Sequence, residues 1–106
     1  KSPQSSGDIE FSSGCTSEGS SGRVVITSGD AERGSSGDVA VSVGSTDEAD
    51  GGSISISAGA TASDESTGGA IEITAGVGTS VGGSIHVSAG FASAGPGGDV
   101  GINAGE

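Results

Sequence analysis

Six hydroxyl side chains occupy one fixed place in a recurring phrase of this chain: Ser12, Thr27, Ser42, Ser57, Thr74 and Ser88, with Asn103 at the seventh occurrence. A row of hydroxyls can do two kinds of work. It can carry O-linked sugars, which would coat a thin protein with bulky polar groups. It can also order water, as on ice-binding coils. The adjoining columns oppose the second use, because they hold Asp8, Glu10, Arg23, Asp38, Glu72 and His86 and so make a face that is neither flat nor uncharged. Polysaccharide binding is the related alternative. It normally uses exposed aromatic rings, and the chain has two Phe and no Trp or Tyr. Asn103 is the only asparagine and is followed by Ala104 and Gly105, so there is no acceptor sequence for N-linked sugar.

Carboxylates are the next candidates. Asp47, Glu48 and Asp50 form one cluster and Asp64 with Glu65 another, and their oxygens could hold Ca²⁺. Their spacing fits neither an EF-hand loop nor the glycine–aspartate nonapeptide of calcium-binding β-rolls. Solvated loop charge is the simpler reading, and no cofactor is expected. His86 is the only histidine and Cys15 the only cysteine, so an intrachain disulfide is impossible. The residue type favours Cys15 as a small buried or half-buried side chain, with an intermolecular disulfide as the alternative. No Gly-x-Ser-x-Gly elbow, P-loop or metal-ligand spacing is expected to carry chemistry, and no catalytic residues are expected.

Charge narrows the partners. Fourteen acids against three Lys and Arg give a net charge of −11, which disfavours nucleic acid and anionic membrane surfaces. No apolar run approaches the ~20 residues needed to span a bilayer, so membrane insertion is not expected. The single cysteine does not set the compartment.

The elements that must position these groups are repeats. The phrase reads GDIEFSSG at 7–14, GRVVITSG at 22–29, GDVAVSVG at 37–44, GSISISAG at 52–59, GAIEITAG at 69–76, GSIHVSAG at 83–90 and GDVGINAG at 98–105. Steps between opening glycines are 15, 15, 15, 17, 14 and 15 residues. Such a period marks units that cannot bury their own apolar faces and must stack on copies of themselves. Glycine-rich, serine-rich composition without a period would indicate a flexible linker; the period argues against that. Residues 1–106 read as one repeat array. The chain starts just before one unit and stops just after another, as a segment of a longer array would.

Within each phrase large aliphatics alternate with small or polar residues, the period-two pattern of a strand. The glycines are expected to supply turns with positive φ. Two all-β architectures fit: a parallel β-solenoid of seven rungs starting near 7, 22, 37, 52, 69, 83 and 98, or an antiparallel meander or sandwich. Charge favours the first. Asp8, Arg23 and Asp38 share one offset in successive phrases, and Glu18, Arg33 and Glu48 share another. Parallel in-register stacking would set each arginine about 4.8 Å from acids above and below. Glu72 and His86 match in the same way. The column Thr16, Ala31, Thr46, Thr61, Gly78, Ala92 would form a small inner face opposite the aliphatics. With two large aliphatics per rung, the core is too thin to hold an isolated coil, and a longer array, lateral partners or glycans are expected to supply the rest.

The phrase at 52–59 and 83–90 resembles the Ser/Gly-rich repeats of surface proteins of algae, diatoms and related microbes. That resemblance implies an extracellular structural or adhesive protein, self-associating and open to glycosylation. It transfers no functional residue. The sequence thus leads to a structural repeat that builds a fibre or surface appendage from copies of itself, with an ice- or polysaccharide-binding module as the alternative.

Overall fold

The computed structural model describes residues 5–106. Among them there is no helix and no β-strand. The expected parallel β-solenoid is therefore not formed, and neither is the antiparallel meander. No described residue is buried, and only Ala58, Ala75 and Ala92 are even half-buried. The surface is 10867 Å², whereas a globular chain of 9.7 kDa exposes about 5,100 Å² and an unfolded one about 14,000 Å².

The cause lies in what each phrase offers. Alternation decides which side chains could share a face, but a ladder persists only when cross-strand pairs and burial outweigh the entropy of ordering the backbone. Two aliphatics flanked by glycines give little to bury, and each glycine loses more freedom on ordering than any other residue.

The repeat survives as irregular structure with regular punctuation. The chain divides into two compact units, Lys1–Ile54 and Ser55–Glu106. In the first, bends fall at 17–19, 32–34 and 47–49. In the second, a turn falls at 64–65 and bends at 79–81 and 93–95. Five of the six lie at the same distance from their opening glycine; the turn at 64–65 lies later, in the loop that carries the 17-residue step.

Each phrase also begins beside the end of the one before it. A methyl group placed on Gly22 would lie 3.5 Å from Ser13 Cβ, on Gly37 3.9 Å from Ser28 Cβ, and on Gly52 2.7 Å from Val43 Cγ1. In the second unit the corresponding neighbours are Ala58 Cβ at 3.3 Å from Gly69, Ala75 Cβ at 3.5 Å from Gly83 and Ala89 Cβ at 3.8 Å from Gly98. In-register parallel coiling would instead set every opening glycine over the previous opening glycine. The contact found is that of a hairpin stem, but no ladder propagates from it.

These glycines do not serve as left-handed turns. No described residue, glycine included, has a positive φ. Their value is close approach: the chain can come back onto the end of the previous phrase because no side chain stands in the way.

Candidate functional site

The structural site of this chain is the junction between phrases, repeated six times. In the second unit each junction is closed by a backbone hydrogen bond. The N–H groups of Gly69, Gly83 and Gly98 donate to the carbonyl oxygens of Gly59, Gly76 and Gly90, each at 2.9 Å. Junctions of the first unit have the contact without the bond among the described residues.

Two sequence differences account for this. Closing phrases in the second unit end Ala-Gly, at 58–59, 75–76 and 89–90, and the following phrase opens with a glycine pair, at 68–69, 82–83 and 97–98. In the first unit the penultimate residues are Ser13, Ser28 and Val43, and the first two junctions have Ser21 and Ser36 before the opening glycine. The extra glycine faces the accepting carbonyl: a methyl group on Gly97 would lie 3.1 Å from Gly90 O, and on Gly82 3.7 Å from Gly76 O. Loop length is not the cause, since the loop from Gly44 to Gly52 has the same step as that from Gly90 to Gly98.

Side chains cap the bends between junctions. Gly19 N–H donates to Thr16 Oγ1 at 3.2 Å, and Ser63 N–H donates to Thr61 Oγ1 at 3.2 Å. Ser66 closes its turn on Ser63 twice, N–H to carbonyl at 3.3 Å and hydroxyl to hydroxyl at 3.2 Å. At Gly78 a Cβ would run into the carbonyl oxygen of Val81, so the bend at 79–81 requires glycine there. Thr16, Thr61 and Gly78 belong to the column read as an inner face. They shape the bends instead, and the signal was a hydroxyl residue two or three positions before the N–H it caps.

No family model, curated protein or solved structure matches the chain. The remaining candidates are placed as follows. Ser12, Thr27, Ser42, Ser57, Thr74 and Ser88 are all exposed, as is Asn103. Asp8, Arg23, Asp38, Glu18, Arg33 and Glu48 are exposed, and the in-register sheet that would have set them side by side is absent among the described residues. Glu72 and His86 are likewise exposed. Asp47 and Glu48 lie in a bend and Asp64 with Glu65 in a turn, and no group of three or more His, Cys, Asp or Glu is drawn together among the described residues. Cys15 is exposed rather than buried or half-buried, because the described residues form no interior to receive it.

The expectation of no Gly-x-Ser-x-Gly elbow needs correcting at the level of spacing. Residues 78–82 spell Gly-Thr-Ser-Val-Gly, the pattern of a nucleophile elbow. An elbow needs a strand running into a helix to present its serine. Ser80 lies in an exposed bend, with neither element beside it.

Proposed function

We propose that this chain is a structural, non-catalytic repeat protein whose role is to associate with further copies of itself into an extracellular fibre or surface layer. The observation that carries this reading is the unsatisfied surface. Ile, Val and Phe of every phrase stand open, between 47% exposed at Val43 and 91% at Ile102. The chain exposes about 5,700 Å² more than a globular chain of its mass would. A stable protein–protein interface needs about 800 Å² from each partner, so several neighbours could be accommodated. Repetition supports the same role, since each phrase offers a similar surface to an incoming copy. The open hydroxyls leave room for sugars on the assembled material, in keeping with an extracellular place.

Negative-stain electron microscopy of the purified chain, together with light scattering over a concentration series, tests the proposal. Filaments or sheets that grow with concentration are the expected result. Monomers at millimolar concentration and physiological salt would refute it.

A further inference from the structure

We infer that residues 73–98 form the surface through which one copy of the chain binds another; this deepens the assembly reading above and rests on it. From Ile73 to Gly98 the chain has no Asp, Glu, Lys or Arg, and His86 is its single ionisable side chain. All fourteen acids lie outside this stretch. Its large apolar side chains are exposed. Val81 is 83% and Phe91 92% exposed, Val77 has no cover at all, and Ile73, Ile85 and Val87 stand open between them.

The stretch is also pinned by backbone hydrogen bonds. Two of the three closed junctions, Gly76 with Gly83 and Gly90 with Gly98, fall inside it. They bracket the loop that carries Val77 and Val81 and the loop that carries Phe91. Ordering already spent within a copy does not have to be spent again on association, which favours contact here over contact through the open junctions of the first unit.

Charge selects the occupant. Two copies at −11 each repel wherever their carboxylates approach, and 73–98 is the longest stretch where they can meet without that. A basic partner would be drawn to the acids between Asp8 and Glu72 instead. An uncharged apolar surface fits another of the same kind, and because open apolar side chains run from Ile73 to Phe91, copies can meet in a staggered, non-closing contact that continues from one chain to the next.

Sedimentation equilibrium on the whole chain decides the matter, with Ile85→Asp and Phe91→Asp set against Val24→Asp and Ile26→Asp. All four residues are exposed in the monomer, so none of the substitutions acts by emptying a core. All four add one negative charge. The first pair is expected to raise the concentration for half-assembly by about tenfold or more, and the second pair by less than about threefold. Equal effects from both pairs would overturn the assignment to 73–98 while leaving assembly intact. A parent chain that stays monomeric throughout would overturn both. A monomer that instead floats with phosphatidylcholine vesicles, and loses this with Phe91→Asp, would overturn self-binding in favour of a lipid surface.

Discussion

Replacing Val43 with alanine should create a fourth hydrogen-bonded junction. The junction from Val43-Gly44 to Gly51-Gly52 differs from that of Ala89-Gly90 to Gly97-Gly98 in one relevant respect, the penultimate side chain. Loop step and glycine pair are the same. Val43 Cγ1 lies 2.7 Å from the point where a Cβ on Gly52 would sit, while Ala89 Cβ lies 3.8 Å from the equivalent point on Gly98. Removing the valine branches lets the Gly52 N–H reach Gly44 O as the Gly98 N–H reaches Gly90 O. One backbone hydrogen bond contributes about 0.5–1.5 kcal/mol net, which is about a 2- to 13-fold rise in the closed population. Amide hydrogen exchange at Gly52, read residue by residue by NMR, should slow by that factor. Exchange at Gly37, whose junction is unchanged, should stay as it was. The converse substitution, Ala89→Val, should speed exchange at Gly98 over the same range. If Val43→Ala leaves Gly52 unchanged and Ala89→Val leaves Gly98 unchanged, the penultimate side chain does not control closure.

Gly78→Ala should abolish the bend at 79–81, because its Cβ meets the Val81 carbonyl oxygen, whereas Gly95→Ala, which meets nothing, should leave the bend at 93–95 intact. An overpacking cost of about 1–3 kcal/mol predicts a fivefold or larger loss of the bend, visible in the couplings and shifts of Thr79 to Val81. Cys15 should react with a thiol reagent completely and at one rate in buffer, with no faster phase in urea, since it is already exposed. Assembly should strengthen as salt rises from about 10 to about 150 mM, which shortens the screening length from ~30 to ~8 Å between copies carrying −11 each; light scattering that falls with salt would contradict this.

The sequence made the repeat unit and its punctuation readable. In the second unit opening and closing glycines are the residues that meet at the junctions, and in both units the return segments hold the bends at a near-constant offset. What it did not make readable was whether the alternating phrases pair. Ile54 and Ile56 alternate with serine just as they would in a strand, but alternation is equally compatible with a segment that finds no partner. Pairing depends on burial summed over neighbours, and two aliphatics per phrase supply too little. The charge matches of Asp8, Arg23 and Asp38 describe a register only if a sheet exists to hold it. The placing of Cys15 failed for the same reason, having assumed an interior. Glycine was misread in its mechanism rather than its importance: Gly69, Gly83 and Gly98 matter for the carbonyl they can approach, not for an unusual backbone angle. The difference between alanine and valine before the closing glycine was visible in the letters, but its meaning needed the junction contact to be known.

Closed junctions have a consequence for how such a chain can change over generations. The loop from Gly59 to Gly69 holds the 17-residue step and the loop from Gly76 to Gly83 the 14-residue step, and both are shut by a bond of 2.9 Å. Residues gained or lost inside a loop are therefore not transmitted to the phrases on either side. Insertions, acidic tracts or new hydroxyls can be written into the loops as freely as decoration on beads, while the clasp between beads stays the same. Duplication of one bead and its clasp lengthens the string without any adjustment elsewhere, a permissive route by which a short motif becomes a long one.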